Sequence, residues 1–373
     1  MQHRAVVQKN MQKLKILVFN WRCWMNPEMG GAEVFTHEVL KRWVEVGHEV
    51  TLFTAQFKDG KENEVIDGIE IIRAGGRYSV YRKAKRYYER TFSKENYDVV
   101  IDEINTIPFH TPRFVRSGER IVALIHQLAR EYWFYETPFP ANYLGYYFFE
   151  KRWLSRYRKI PTVTVSESSR RDLADLGFER VFVVGEGLNF EPLGRPSEKA
   201  SIPVIVFAGR LKKAKRPDNA IEVFEMVKKR IPDAELWIIG DGYLKEKLTR
   251  IAPEGVRFFG LVSNEERREL IKKSWVLVNP SVREGFGLNV IEANAFGVPS
   301  VAYNVAGLRD AIIDGKTGLL ADPGDTEALA KAIILILTDV ALRAMLSEEA
   351  LAYSRNFDWG KVADEFMKAI RTA

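Results

Sequence analysis

Two acidic residues beside a glycine pair carry the strongest chemical signal in the sequence. Glu284 follows the strand-like run SWVLVNPS, and Glu292 lies further on in a helix-like run. Between them, Gly285 and Gly287 allow a backbone to approach a ligand closely, and the helix start offers unpaired amides to a phosphate. Carboxylates accept hydrogen bonds from the hydroxyl pairs of a sugar or a ribose. The stretch therefore predicts a site for a phosphorylated, hydroxyl-rich ligand.

A second chemical signal is a pair of cations in FAGRLKKAKRPDNAI. Arg210 ends a predicted strand, and Lys215 lies just before a helix that Pro217 helps to start. Two fixed cations beside a helix N-terminus suit a diphosphate, whose charge also interacts favourably with the helix dipole. The alternative is a solvated charged loop, since other basic residues surround the pair.

Weaker signals lie in three other loops. Gly30 and Gly31 precede a predicted helix in MGGAEVF, which suits a phosphate but is also an ordinary loop pattern. His126 ends the apolar run VALIH, where a structural histidine is the alternative to a functional one. The run IIGDG, with Gly240, lacks the third glycine of a nicotinamide-binding fingerprint.

Metal and nucleophile motifs are missing from the sequence. It contains no Asp-x-Asp pair, no His/Cys cluster at metal-ligand spacing and no G-x-S-x-G elbow. If a nucleoside diphosphate leaves from this site, then Arg210, Lys215 and helix N-termini must carry the charge that a metal would neutralise. We therefore predict no bound metal and no cofactor.

The elements that must position these residues alternate between strands and helices throughout the chain, which predicts an α/β fold with parallel sheets. One series of strands starts at KILVF and a second at IPVIVFAGR, and NFEPLGRPSEKASIP reads as the linker. We predict two tandem doubly wound domains that face a cleft, at 13–198 and 199–354, and a helix at 355–373 that returns to the N-terminal domain. Ligands of such sheets bind beyond the carboxyl ends of the strands. The chemically interesting residues that follow strands are Gly30, Gly31, His126, Arg210, Gly240 and Glu284.

The composition indicates a globular chain in a reducing compartment. Of 373 residues, 46% are hydrophobic and 28% are charged, and Cys23 is the single cysteine. The N-terminus has no apolar signal-peptide core, and no apolar run approaches the roughly 20 residues that span a bilayer. We expect a soluble, cytoplasmic protein. Although the net charge is +6, no nucleic-acid motif is recognisable, and we predict no nucleic-acid partner.

Taken in order, these motifs resemble glycosyltransferase family 4, the retaining enzymes of GT-B fold. The segments that match are GRLKKAK, IIGDG, FFGLVSNEE, NPSVREGFGLNVIEANAFGVPSVA and DGKTGLL, and the resemblance is most specific in residues 205–322. The family's E-x7-E motif matches Glu284, which would hold donor-sugar hydroxyls, and Glu292, which would hold the ribose. The other residues matched to the donor site are Gly30, Gly31, His126, Arg210, Lys215, Gly240, Val262, Gly285, Phe286, Gly287, Leu288 and Asn289.

The resemblance implies roles for these residues. Arg210 and Lys215 would bind the diphosphate, and the amides from Gly285 to Asn289 would meet the sugar and diphosphate. Val262 would lie near the base, and His126 would reach the donor sugar. The expected activity is metal-independent transfer of a hexose from a UDP- or GDP-sugar to a glycan or lipid-linked acceptor, with retention. The alternatives are a non-catalytic sugar-nucleotide or glycan-binding subunit, and another GT-B enzyme such as a sugar-nucleotide epimerase.

One region suggests where the acceptor is. Residues 130–159 combine many Tyr, Phe and Trp side chains with Arg and Lys, and RKAKRYYERTF is similar. Such a surface suits anionic lipid headgroups at a bilayer interface. The alternative is that the aromatic side chains are core and the cations solvated. We predict peripheral contact with the cytoplasmic membrane face.

Overall fold

The computed structural model describes residues 12–372. By their contacts these residues form two α/β units. Residues 12–129, 145–187 and 358–372 make up the first unit, and residues 130–144 and 188–357 make up the second. Each unit contains its own mainly parallel sheet. The alternation of strands and helices in the sequence therefore predicted the fold class correctly.

The chain up to residue 187 contributes eight strands and six α-helices to the described structure. In order they are β1 Lys15–Phe19, α1 Gly31–Glu45, β2 Glu49–Thr54, β3 Asn63–Ile66, β4 Ile69–Arg73, α2 Val80–Arg90, β5 Val99–Glu103, β6 Arg120–Leu124, α3 Tyr132–Glu136, α4 Ala141–Leu144, α5 Glu150–Leu154, β7 Thr162–Thr164, α6 Glu167–Asp175 and β8 Val181–Val183. A π-helical turn, Gly145–Phe149, joins α4 to α5.

The remainder of the described chain contains β9 Val204–Ala208, α7 Pro217–Lys228, β10 Glu235–Ile239, α8 Lys245–Ile251, β11 Val256–Gly260, α9 Asn264–Lys273, β12 Val276–Asn279, α10 Leu288–Asn294, β13 Ser300–Tyr303, α11 Leu308–Ala311, β14 Gly318–Ala321, α12 Thr326–Thr338, α13 Val340–Ser354 and α14 Trp359–Thr372. No helix within residues 12–372 has the length and apolar character needed to cross a membrane.

The sheet of the first unit has the strand order β3-β4-β2-β1-β5-β6-β7-β8. Among its described strands, only the edge pair β3–β4 is antiparallel. The central strand β1 is almost fully buried, and Phe19 packs against Phe53 and Phe92 in an aromatic core. Strands buried on both faces are typical of doubly wound sheets. This core stabilises the strands whose carboxyl ends form one edge of the sheet.

The sheet of the second unit has the order β11-β10-β9-β12-β13-β14, and its pairs are all parallel. From β9 the chain builds the sheet outward in one direction through β10 and β11, and then in the other direction from β12 to β14. The switch point therefore lies between β9 and β12. In doubly wound folds, ligands bind outside the carboxyl ends of the strands at such a switch point. Arg210 follows β9 and Glu284 follows β12, so both lie at this edge.

The domain boundary differs from the sequence-based one. The part of the first unit that precedes the predicted linker ends at Gly187, whereas we predicted residue 198. The segment read as a linker packs on the second unit, because Leu193 donates its amide to Ala295 O (3.0 Å) and Ser197 donates to Phe296 O (3.0 Å). Its Pro and Ser content thus marks an irregular but attached segment.

The C-terminal helix α14 belongs by its contacts to the first unit. The Trp43 indole of α1 donates to the carbonyl of Ala363 (3.0 Å), and its ring lies 5.1 Å from that of Phe366. Burial of these large aromatic side chains stabilises the pairing of the two helices. The helix begins at Trp359, four residues after the predicted start at 355.

Candidate active site

The centre of the candidate site is Glu284 in the loop after β12. Its carboxylate forms an ion pair with Lys215, and the side chains are only 14% and 18% exposed. Ser281 Oγ donates to Glu284 Oε1 over 2.8 Å. Burial would raise the pKa of Glu284, but the charge and hydrogen bond of Lys215 outweigh it and hold that pKa below its usual value. The site therefore contains a fixed, ionised carboxylate.

Lys215 is held in its charged form by the same ion pair with Glu284. Burial alone would lower its pKa, but the negative charge of Glu284 and the nearby Tyr132 raise it above the ordinary lysine value. Lys215 closes a short 3₁₀ turn, Lys213–Lys215, directly before α7. The structure thus brings together two of the predicted catalytic residues, which are far apart in the sequence.

A close backbone approach holds the Glu284 loop in place. Glu284 donates its amide to Ala306 O (3.0 Å), and Gly307 follows with φ +85°. A Cβ atom on Gly307 would lie 2.2 Å from the carbonyl oxygen of Glu284. Since real Cβ atoms essentially never come so close, only glycine fits here. Gly307 is a positioning residue that we did not predict.

The glycine loop, Gly285–Gly287, leads into α10 as predicted, but its Phe286 side chain packs inside the second unit. Gly287 adopts φ +115° and caps the helix. Phe286 is buried and packs edge-on against Phe357, with the ring centroids 5.6 Å apart. The contact that we predict between Phe286 and the donor therefore falls to its backbone. For Gly285 and Leu288, the predicted contacts are likewise those of the backbone amides.

Asn289 anchors the first turn of α10 to the strand ends. Its Nδ2 donates to the carbonyl of Ala208 at the end of β9 (2.9 Å). Its Oδ1 accepts from the buried Asn279 of β12, over 3.2 Å. Because the side chain is tied to both strands, the contact that we predict between Asn289 and the donor also rests on its backbone.

Glu292, the second acid of the motif, is held by an arginine that we did not predict. Arg267 of α9 lies 2.5 Å from Glu292 Oε2, and each side chain is about a quarter exposed. A guanidinium this close orients the carboxylate. The run NEERREL gives no local signal that Arg267 faces α10.

The cationic loop after β9 contains a third relevant cation. Arg210 is exposed, and Lys212 lies with its Nζ 4.8 Å from the centre of the Tyr132 ring. Burial, together with the charges of Lys215 and Arg210, lowers the pKa of Lys212 to about 7. This crowding of positive charge favours an anionic ligand.

Gly240 has a structural explanation in the second sheet. It adopts φ +133°, and a Cβ there would lie 2.1 Å from Gly209 O. The adjoining loops are bonded together, with the amide of Leu211 donating to Asp241 O over 2.8 Å. Gly240 thus lets the exits of β9 and β10 pack closely, and its predicted donor contact remains a prediction. The same holds for Val262, which is half-buried between β11 and α9.

In the first unit, His126 is a buried histidine paired with an acid. Its Nε2 lies 3.3 Å from Oε1 of Glu103, which is itself fully buried. Glu103 Oε2 accepts the hydroxyl of Thr36 over 2.7 Å. Burial raises the pKa of Glu103, against the opposing effect of His126. We missed Glu103, although its place at the end of β5 follows the strand-end rule that selected His126.

Gly30 and Gly31 lie at the start of α1, as predicted. The amide of Gly30 donates to Oε2 of the buried Glu33 over 2.6 Å. Glu33 in turn lies 3.0 Å from the Arg22 guanidinium. This capping box already satisfies the Gly30 amide, so a phosphate contact there would have to replace the bond to Glu33.

Metal ligands do not cluster in the described part of the chain: between residues 12 and 372, no group of three or more His, Cys, Asp or Glu side chains is placed to hold a metal ion. The chemistry that these residues do offer is that of paired cations and carboxylates.

Two family models match consecutive parts of the chain. Residues 29–191 match Glycosyltransferase Family 4, and residues 191–352 match Glycosyl transferases group 1. Among curated relatives, D-inositol 3-phosphate glycosyltransferase of Corynebacterium urealyticum is 30% identical over 217 residues, covering 52% of this chain and 51% of that protein. Phosphatidyl-myo-inositol mannosyltransferase of Mycobacterium leprae is 27% identical over 222 residues, covering 57% and 59%. The chain thus spans about half the length of the curated relatives it matches.

Solved structures show the same fold over nearly the whole chain. Sucrose-phosphate synthase from Thermosynechococcus elongatus has a TM-score of 0.78 at 20% identity, covering 96% of this chain and 99% of that one. Anabaena HepE in complex with UDP-glucose has a TM-score of 0.73 at 17% identity, covering 96% and 100%. Because the identities are low, these structures inform on fold. The two family models together span residues 29–352, and with this fold they show that the chain is a family-4-like glycosyltransferase of GT-B fold.

Proposed function

We propose that the protein transfers a hexose from a nucleoside diphosphate sugar to an acceptor, with retention at the anomeric carbon and without a bound metal. The observation that carries this proposal is the constellation of Glu284, Lys215 and Ser281 beside the glycine loop. An ionised carboxylate next to a charged lysine matches a ligand that presents hydroxyls beside phosphate. The solved HepE complex contains UDP-glucose, which supports a UDP-sugar donor as the first to test.

In the proposed reaction, the bond between the anomeric carbon and the diphosphate oxygen breaks, and a bond to the acceptor oxygen forms. The acceptor proton passes to the leaving diphosphate. Lys215 and Arg210 stabilise the charge that grows on that leaving group, and Glu284 accepts hydrogen bonds from the sugar hydroxyls. Glu292, oriented by Arg267, accepts hydrogen bonds from the ribose. The protein thus contributes positioning and electrostatic stabilisation. Retention and the contact of His126 with the donor are carried over from the family.

Nucleotide binding tests this proposal. We expect UDP or GDP to raise the melting temperature by about 5–10 °C at a concentration of a hundred times Kd, with and without EDTA. The Glu292→Ala variant is expected to lose this shift, because its ribose contact is gone. Glu348→Ala, an exposed change on α13, is the matched control. Differential scanning fluorimetry with UDP, GDP, ADP and their sugar conjugates measures the shifts.

The outcomes separate the alternatives. No shift with any nucleotide contradicts the proposed donor site. Binding without any product in an acceptor screen favours a non-catalytic binding subunit. A changed sugar nucleotide in the absence of acceptor favours an epimerase. A shift that disappears with EDTA contradicts metal independence.

We also propose that the acceptor is lipid-linked or a glycolipid, and that the enzyme works at the cytoplasmic membrane face. Residues 145–159, the basic-aromatic segment, bury Leu154 and Tyr157 but expose Tyr147 (65%) and Phe148 (51%). The cations of the segment are exposed as well: Lys151, Arg152, Arg156, Arg158 and Lys159. Exposed aromatic rings beside several cations suit an anionic bilayer interface.

Vesicle binding tests the membrane proposal. The protein is expected to sediment with anionic liposomes at low salt, and Arg152→Glu/Arg156→Glu should weaken the partitioning at least about tenfold, since each basic residue near the surface contributes roughly 1 kcal/mol. Arg257→Glu/Lys331→Glu changes exposed cations of the second unit by the same charge and is the control. Equal losses in both pairs would show a general charge effect instead of a membrane face.

A further inference from the structure

Residues 130–144, which we call the strap, lie between two stretches of the first unit in the sequence but pack on the second unit. Two acids attach the strap. Glu131 Oε2 accepts from Arg283 Nε over 2.7 Å, and the Arg283 side chain is only 9% exposed. Glu136 Oε1 accepts the backbone amide of Ala214 over 2.7 Å. The strap is therefore held at Arg283, beside Glu284, and on the loop that carries the cations of the candidate donor site.

The attachment at Glu136 is two-sided. Its Oε2 accepts the hydroxyl of Tyr243 over 2.9 Å. The same hydroxyl oxygen accepts the amide of Lys213 over 2.9 Å. One carboxylate thus engages two consecutive amides of the 3₁₀ turn Lys213–Lys215, the first through Tyr243 and the second directly.

Two aromatic rings of the strap cover the neighbouring cations. The ring of Tyr132 lies 4.8 Å from Lys212 Nζ, and that of Tyr135 lies 5.8 Å from the Arg216 guanidinium. Tyr132 also contributes to the electrostatic environment of Lys215. The cations on both sides of the 3₁₀ turn thus face strap residues.

Charge compensation indicates what the strap replaces. The carboxylates of Glu136 and Glu284 both act on Lys212, raising its pKa against the larger effects of burial and of Lys215 and Arg210. Glu136 accepts a backbone amide close to Lys212, and a carboxylate in such a place has the chemistry of a bound phosphate oxygen. A diphosphate entering here would compete with Glu136 for the Ala214 amide and for the positive charge of Lys212. The negative charges of the diphosphate and of Glu136 would also repel each other.

We propose that the strap is an autoinhibitory element: Glu136 occupies the phosphate position on the 210–216 loop, and an incoming diphosphate displaces it. This inference rests on the proposed function for the class of ligand, a nucleoside diphosphate. It adds a conformational step, release of the strap, that the ligand must drive by binding the released state more tightly. It also makes Glu136 and Tyr243 determinants of donor affinity that no donor-site motif includes.

The test measures the affinity of inorganic pyrophosphate and of UDP by isothermal titration calorimetry. Glu136→Gln removes the competing charge but keeps an acceptor for the Ala214 amide, and should tighten pyrophosphate binding by about fivefold or more. Tyr243→Phe loosens the attachment without changing charge and should tighten binding by a smaller factor. Glu349→Gln, an exposed change on α13, is the control and should match wild type. Melting curves confirm that each variant is folded.

Hydrogen exchange gives a second readout that is independent of affinity. Pyrophosphate should speed amide exchange in residues 131–144 of the wild type, because the strap is released. Unchanged exchange, or a Glu136→Gln affinity equal to or weaker than that of the wild type, would overturn the strap proposal while leaving the donor site intact. If neither the wild type nor any variant bound pyrophosphate or a nucleotide, the proposed function itself would fail.

Discussion

Glycosyl transfer by the Glu284→Gln variant is expected to fall by about 10²–10³-fold in kcat. The amide keeps the shape of the side chain but loses the charge that pairs with Lys215 and that, in the proposed donor site, strengthens hydrogen bonds to the sugar hydroxyls. The substitution also removes the charge of Glu284, which raises the pKa of Lys215 more than Tyr132 does. Steady-state kinetics with the donor identified by the binding screen measure the effect.

Ser281→Ala is the matched control for Glu284→Gln. It removes one hydrogen bond to Glu284 Oε1 but leaves the ion pair with Lys215, so a loss of only a few-fold is expected. Comparable losses in both variants would mean that the loop geometry matters more than the charge. Activity near the wild-type level in Glu284→Gln would contradict the proposed role of Glu284 in the reaction.

The Gly307→Ala variant is expected to lose both stability and activity. Its Cβ would lie 2.2 Å from the carbonyl oxygen of Glu284, so that the loop carrying the carboxylate must move. Left-handed backbone strain and the backbone clash together should cost at least about 3 kcal/mol, or roughly 6–12 °C in melting temperature. Thermal melts and kinetics measure the two losses.

Gly324 supplies the control for this change. Its φ is +86°, against +85° at Gly307, but beyond its chain neighbours no atom of the described residues lies within 4 Å of the place that a Cβ would take. Gly324→Ala therefore carries the backbone strain without the clash and should cost only about 1 kcal/mol, with activity unchanged. Equal effects in the two variants would show that the contact with Glu284 is unimportant.

The strap changes how donor affinity should be interpreted in variants of the cationic loop. Substituting Lys212 or Arg216 removes a cation from the candidate phosphate site and also a partner of the strap rings. The two effects oppose each other, because loss of the cation weakens binding of the diphosphate, whereas loss of the ring contact weakens the attachment of the competing strap. Variants of Glu136 and Tyr243 separate them, because neither residue supplies positive charge to the site.

Local pattern determined the fold class and the strand-end residues. Apolar runs buried on both faces, followed by helical periodicity, specify a parallel α/β unit whatever the rest of the chain does. Since ligands of such sheets bind at the carboxyl ends of strands, residues like Arg210, His126 and Glu284 can be selected without a structure. The family resemblance rests on the same local motifs, and the family models confirm it.

The partners of these residues depend on tertiary packing. Glu103 beside His126, Arg267 beside Glu292 and Gly307 beneath Glu284 come from other elements, and no local spacing relates them. The strap shows this most clearly: its composition does not indicate that Glu131 and Glu136 attach residues 130–144 to the second unit. Sequence patterns reflect the interactions of a residue with its neighbours along the chain. Charge compensation and backbone close approach are settled only when distant segments meet, and in this protein they decide how the candidate site is held.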